Sequence, residues 1–252
     1  MTSYVITGAG RGIGLEWIRQ LSSASASNIV FAVVRNPSSS SQLQELASAN
    51  PNVHVLVGDV SSPADMLSVA AAAAEITGGT LDVLVHNAMA SPSDVAILSS
   101  GPSMLAPVNE ELVARTKAEF ELMWDTAVYA TLWVTNAFLP LLEKAASAKG
   151  DAKVVHISTG LADIDFTLKS GIVYSIPYAA AKSAMNMLTA KYAVELRPRG
   201  IKVVSISPGW VETWPGESEF SFVVFIPSLV KERAELTVLK NRPRFLQQRR
   251  GC

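Results

Sequence analysis

Thr7-Gly8-Ala9-Gly10-Arg11-Gly12-Ile13-Gly14 lies between a short apolar run, Tyr4 to Thr7, and a helical pattern from Ile13 to Leu21. Glycines at such a junction permit a tight turn with positive φ, let backbone N–H groups approach a pyrophosphate, and leave room for close packing of helix on sheet. The helix then points its positive N-terminal end at the phosphates. A glycine cluster alone can be an ordinary turn, but between an N-terminal strand and a helix it signals a dinucleotide site. Gly8, Gly10, Arg11, Gly12, Ile13 and Gly14 are therefore candidate cofactor-binding residues.

Working outward from this turn, short β-branched runs alternate with longer helical patterns. Strands are expected at Tyr4 to Thr7, Ile29 to Val34, Val53 to Val57, Leu81 to His86, Lys153 to Ile157 and Ile201 to Ile206. Helices are expected near Ile13 to Leu21, Ser41 to Ala49, Ala64 to Ile76, Lys117 to Glu143 and Tyr178 to Leu196. That alternation predicts an α/β fold, a single-domain Rossmann-type doubly wound parallel sheet flanked by helices, spanning residues 1–252. Ser38 to Ser41, after Pro37, reads as a loop entering the next helix. Ala90 to Val108 and the chain after Pro215 are less regular, and both are expected on the substrate side.

With 252 residues, 49% of them hydrophobic, the chain is long enough for one large core. A formal net charge of −1 gives no general pull towards nucleic acid or an anionic membrane. The lone cysteine, Cys252, offers neither an intrachain disulfide nor a metal cluster, which suits a reducing compartment. The first apolar run begins too early for a secretory signal, and Phe220 to Val230 is too short and too interrupted by Pro227 to span a bilayer. A cytoplasmic protein with a small-molecule substrate, without nucleic-acid or membrane partners, is the expectation. The basic cluster Lys240, Arg242, Arg244, Arg249 and Arg250 reads as a solvated terminus or as an anion or partner contact.

The second strand decides the cofactor. An acidic residue at its end would hold ribose hydroxyls, whereas here Val33-Val34 is followed by Arg35 and Asn36. A guanidinium can grip a 2′-phosphate with charge-assisted bonds, and Arg11 can supply a second, so NADP(H) is expected. The alternative is that Arg35 merely begins an exposed loop.

Tyr178-Ala179-Ala180-Ala181-Lys182 opens a helical stretch just after Pro177, which sets the phenol and the amine on one face. A neighbouring ammonium favours the phenolate and is expected to move Tyr178 towards neutral pH. Carbonyl reduction needs such a group, with hydride from a nicotinamide and a proton from the phenol. On its own the Tyr-x-x-x-Lys spacing is common; in a chain with this glycine turn it marks Tyr178 and Lys182 as candidate catalytic residues.

Taken together, these motifs resemble those of the short-chain dehydrogenase/reductase family, and within it the C-factor-like group. The resemblance runs from Tyr4 to about Pro215 and includes Thr7-Gly8 through Gly14, Asp59 after the third strand, Asn87-Ala88 after the fourth, Tyr178 with Lys182, and Pro208-Gly209 followed by Thr213. It implies that Asp59 contacts adenine with Val60 nearby, and that Asn87 and Ala88 help hold the adenosine side. It further implies that Tyr178 and Lys182 also bind nicotinamide ribose, and that Val211 and Thr213 lie near the carboxamide and phosphates. Dimers or tetramers packed through the long helices are also implied, with Leu122, Val128, Leu132, Met185 and Leu188 as candidate facing residues.

Three positions depart from the family pattern. The usual serine beyond the fifth strand falls on Thr159, with Ser158 as the alternative one residue earlier; Thr159 is the third candidate catalytic residue. The usual catalytic asparagine, which would hold a water in the proton path to the lysine, falls on Ala127, counted back from Phe138-Leu139-Pro140. Met89 replaces a residue without a side chain and either lines the pocket or fills the core. His86 reads as a strand end. The leading expectation is an NADPH-dependent carbonyl reductase, or the reverse alcohol dehydrogenase, acting on a small, fairly apolar ketone or aldehyde, with Leu161, Phe166, Tyr174, Trp210, Trp214 and Phe220 as candidate pocket or core residues. Ala127 and Met89 motivate a second reading, a non-redox dehydration, isomerisation or cyclisation. A low-turnover NADP(H)-binding sensor is a third.

Overall fold

The computed structural model describes residues 1–90, 108–209 and 211. Contacts divide the chain into Met1–Ser218 and Glu219–Cys252; the second of these, with Trp210, Thr213, Trp214 and Phe220, lies outside the described residues. In chain order the elements are β1 (Ser3–Thr7), α1 (Gly12–Ala24), β2 (Ile29–Val34), α2 (Ser41–Ala49), β3 (Val53–Val57), α3 (Pro63–Thr77), β4 (Val83–His86), α4 (Glu110–Trp124), α5 (Ala130–Lys149), β5 (Ala152–Ile157), α6 (Ile164–Ser170), α7 (Ile176–Leu196) and β6 (Ile201–Ile206). The expected loop at Ser38 is in fact a short 3₁₀ turn, Pro37–Ser39, capped by Asn36.

All six strands are parallel, in the order β3-β2-β1-β4-β5-β6. Strand order reverses between β1 and β4, so a crevice opens at their carboxyl ends, where open α/β sheets bind ligands. The glycine turn leaves β1 at that point, and Asn87-Ala88-Met89 leaves β4 beside it.

The strands β1, β2, β4 and β5 are buried along nearly their whole length, as a parallel sheet covered on both faces requires, and only β6 alternates buried and more open positions. Val5, Phe31, Leu84, Val154 and Val203 form one core with Met66, Val69 and Ala73 of α3, Val134, Phe138, Leu141 and Leu142 of α5, and Leu196 of α7. The same face carries His86 and His156 at the carboxyl ends of β4 and β5, since side chains two residues apart share a face. Trp17, Ile18 and Leu21 are the buried apolar side of α1, which packs on β1 and β2.

The helix expected from Lys117 to Glu143 begins earlier and ends later. Asn109 caps it by accepting from Leu112 N at 2.8 Å, with Glu110 and Glu111 in the first turn, where acids complement the helix dipole. A π-helical turn, Asp125–Tyr129, joins α4 to α5 and has Ala127 at its centre. At the other end Gly150, with φ of 79°, ends α5 in the left-handed conformation.

Candidate active site

The glycine turn is built around Asn87. Its Nδ2 donates to the Thr7 and Gly8 carbonyls, each at 3.1 Å, while Thr7 Oγ1 accepts from the Asn87 and Ala88 backbone N–H groups, each at 3.1 Å. The result ties the ends of β1 and β4 together and holds the turn open. Gly8 adopts φ of 66°, and a Cβ on it would meet Ala88 Cα at 2.7 Å. A Cβ on Gly14 would collide with Gly8 O and lie 2.6 Å from Asn87 Nδ2. At the start of α1, Arg11 occupies the N-cap position without a side-chain cap bond, and Gly12 and Ile13 begin the helix. These residues fit a dinucleotide pyrophosphate, because the cradle has no room for side chains and the helix end presents backbone donors. Gly10 differs: a Cβ there would make only ordinary contacts with Val34 and Ser40. Gly14→Ala is expected to destabilise the protein by about 1–3 kcal/mol through overpacking and to weaken dinucleotide binding, checked by urea unfolding and by fluorescence titration.

Arg35 follows β2 and lies 3.9 Å from Asp59, with both side chains partly open to solvent. Asp59 Oδ1 also accepts from Ser61 N and Ser61 Oγ at 2.9 and 2.7 Å, fixing the carboxylate at the turn after β3. Val60 differs from its neighbours in this group, for its side chain is buried in the core with Met66 and Val69. Pro208, Gly209 with φ of 81°, and Val211 follow β6; Thr213 lies outside the described residues.

Tyr178 enters α7 one turn before Lys182, with Pro177 in the first turn where its missing N–H costs nothing. Ser175, at the N-cap, holds φ of 60°, the one positive φ among the described non-glycine residues. The Thr159 side chain lies close enough to Tyr178 to favour its phenolate, so the two hydroxyls share the site. Ser158 Oγ instead donates to Asn186 Oδ1 at 2.8 Å. Thr159, and not Ser158, is thus the hydroxyl that bears on Tyr178.

The expected effect of Lys182 on Tyr178 needs correction. Burial raises the phenol above its ordinary 10.0, opposed only by the Thr159 hydrogen bond. Lys182 is almost fully buried, its Nζ donates to Ile157 O at 2.7 Å, and its charge is not among the causes that shift the phenol. Desolvation lowers Lys182 from 10.5 to about 8. Tyr178 thus stands as a protonated phenol at neutral pH, the form that a proton donor needs.

Ala127 is buried with Met123, Val128 and Ala181, and Met89 and Tyr178 pack against this cluster. Met89 also receives the Thr126 hydroxyl at 3.6 Å, so it is held against the wall that flanks the tyrosine.

A profile of the short chain dehydrogenases matches residues 3–221. The chain belongs to this family. Among relatives, the short-chain dehydrogenase/reductase atnB of an Arthrinium species is 37% identical over 84% of this chain and 76% of its own length. The short chain dehydrogenase virK of Hypocrea virens is 36% identical over 84% and 75%. Among solved structures, the NADPH-bound carbonyl reductase from chicken fatty liver is 30% identical, covering 84% of this chain and 81% of that one, with a TM-score of 0.69.

In this short-chain dehydrogenase/reductase, the structure also shows polar groups that the sequence did not single out. His86 and His156 are register partners whose rings meet edge-on at 4.5 Å. His86 does end a strand, as expected, but its Nε2 lies 3.1 Å from Thr135 Oγ1, and both imidazoles feel the charge of Lys182. Only strand register brings them together. No helix among the described residues is long and apolar enough to cross a membrane.

Proposed function

We propose that the protein is an NADPH-dependent carbonyl reductase, or the reverse alcohol dehydrogenase, acting on a small, fairly apolar ketone or aldehyde. The observation that carries this reading is the Thr159 hydroxyl beside the Tyr178 phenol, with Lys182 buried one turn behind and the glycine cradle at the same edge of the sheet. The resemblance to a carbonyl reductase with NADPH bound supports it, as does carbonyl reductase Sniffer of D. melanogaster, 27% identical over 84% of this chain and 82% of that one, with a TM-score of 0.71.

The residues present fit the dinucleotide: Gly8, Gly12, Ile13 and Gly14 would hold the pyrophosphate, Arg35 and Arg11 the 2′-phosphate, and Asp59 the adenine side. When bound, NADPH supplies the hydride that reduces the carbonyl carbon. Thr159 and Tyr178 hold the carbonyl oxygen between two hydroxyls, which orients the carbonyl and polarises it. Tyr178 gives its proton to that oxygen as negative charge develops, so ketone, hydride and proton become the alcohol. Leu161, two residues after Thr159, and Tyr174, four before Tyr178, are half-buried and Phe166 is more open, which supports an apolar substrate side.

Arg35 faces solvent except for Asp59, so a 2′-phosphate would exchange one anionic partner for a doubly charged one. Arg35→Ala is expected to raise KM for NADPH by about tenfold, the equivalent of about 1.4 kcal/mol, and to leave KM for NADH nearly unchanged. Equal effects on the two cofactors would remove the NADP(H) preference from this reading.

The experiment for the reading as a whole is NADPH consumption against a panel of ketones and aldehydes, with cofactor binding measured in parallel. Binding without carbonyl-dependent oxidation would move the assignment to non-redox chemistry or to a sensor, for which Ala127 in its apolar surroundings is the structural motive. Of the residues expected to face a partner copy, Val128 and Met185 are buried within the protomer, Leu132 and Leu188 are half-buried, and Leu122 is exposed, as are Tyr129 and Trp133 on the same stretch.

A further inference from the structure

His156 is fully buried, yet one of its ring nitrogens, Nε2, has no hydrogen-bond partner among the described residues. Its other nitrogen, Nδ1, lies 2.7 Å from Thr189 Oγ1, and that hydroxyl in turn donates to Met185 O at 2.8 Å. With the single Thr189 hydroxyl proton given to Met185 O, the hydrogen between His156 and Thr189 belongs to Nδ1. Nε2 is then a bare lone pair in a buried site. Leaving such an acceptor unpaired costs about 1–3 kcal/mol.

Lys182 is the donor at hand. Its Nζ reaches the carbonyl of Ile157, the residue next to His156, and Lys182 and Thr189 lie two turns apart on the same side of α7. An ammonium has three N–H groups. Ile157 O takes one, and the Met185 sulfur, 3.7 Å away, is a weak acceptor for another. At Ala127, where the family pattern has an amide, the chain presents only a methyl group.

We propose that His156 is a positioning residue for Lys182: its Nε2 lone pair accepts a hydrogen bond that Lys182 Nζ–H donates through one bridging water, and so holds the amine in place behind Tyr178. The proposal rests on the carbonyl reductase reading for its kinetic consequence, but not for its structural one. Among the described residues the titratable groups that bear on His156 are Lys182 of α7 and His86 of β4; α5 and α7 otherwise present the hydroxyls of Thr135 and Thr189. Burial, with the charge of Lys182, keeps His156 neutral, so the lone pair persists throughout the working pH range.

Long-range ¹H–¹⁵N NMR of the histidine side chains tests this without turnover. The expected spectrum shows His156 protonated at Nδ1, with an Nε2 shift typical of a hydrogen-bonded acceptor that moves as Lys182 loses its proton near pH 8. In Lys182→Met the Nε2 shift moves to that of a free acceptor. A proton on Nε2 in the wild type, or an Nε2 shift indifferent to pH in that range, overturns the proposal whether or not the variant folds. In kinetics, His156→Phe keeps a ring in the space and is expected to lower kcat by about 10–100-fold, with KM for NADPH little changed. His156→Gln, which restores an acceptor, recovers most of that loss. Equal losses in both variants would mean that the ring only fills space. A wild type that binds NADPH and reduces no carbonyl would sink the reading of function, while the NMR result would still decide the role of His156.

Discussion

Tyr178→Phe is expected to lower kcat for carbonyl reduction by about 10²–10⁴ while changing NADPH affinity by no more than about tenfold, the worth of one neutral hydrogen bond. The asymmetry follows from where the hydroxyl acts. Tyr178 packs against Met123, Ala127, Val128 and Ala181, contacts that phenylalanine retains. What is lost is the proton donor, the hydroxyl that Thr159 faces. Because burial raises the phenol, the wild-type rate should hold at neutral pH and decline only as the medium becomes alkaline, where Lys182, near 8, also loses its charge. Steady-state kinetics from pH 6 to 10, with NADPH binding followed by fluorescence, measures both quantities. If Tyr178→Phe retained most of its carbonyl-dependent NADPH oxidation, the phenol would not be the proton source.

Much of this arrangement was legible in the sequence because it depends on local signals. The strands Ile29–Val34, Val53–Val57 and Ile201–Ile206 begin and end where their β-branched runs do. β4 is shorter than its apolar run. Leu81 N bonds to Leu141 O, and the Asp82 carboxylate binds Ser3 and Lys149, so those two residues anchor the strand's entry. The first turns of α4 carried a readable signal in Asn109-Glu110-Glu111, and α6 carried another in Asp163, which caps it, and Gly171, which ends it. The π turn at Asp125–Tyr129 has no comparable periodicity. It is a local change of hydrogen-bond register, recognised once the backbone is seen.

The site divides in the same way. Spacing placed Tyr178 and Lys182 on one helix face, but it could not show that the amine turns to Ile157 and leaves the phenol to burial. Nor could it show that Asn87 ties the glycine turn to β4, because that bond joins residues about 80 positions apart. The histidine pair depends on strand order as well as register. Neither His86 nor His156 belongs to a local motif, and each acquires a role only because β4 lies beside β5.

That pair predicts a steep acid limb in the stability of the folded chain. His86 and His156 are buried neutral, and the fold lowers both, His156 to about 3, by desolvation and by the charge of Lys182. In the unfolded chain an imidazole protonates near 6.5, so between 6.5 and about 3 the unfolded state binds more protons and stability falls as the pH is lowered. Each buried histidine then removes about 1.4 kcal/mol per pH unit. From pH 6.5 to 4.5 His156 alone removes roughly 2.5 kcal/mol, and His86 adds to it in the same direction, a large share of the stability of a small domain. Lys182 gives a second window: its folded value near 8 lies below the ordinary 10.5, so stability rises again as the pH passes from about 8 to 10.5. Urea unfolding at half-unit pH steps should show both slopes. His156→Gln should lessen the acid slope by about one proton, or about 1.4 kcal/mol per pH unit, and leave the alkaline one intact. A wild type whose stability is flat from pH 6.5 to 4.5 would mean that the pair takes up protons without unfolding, and so that water reaches it. In that event His156 would not be the neutral acceptor that holds Lys182.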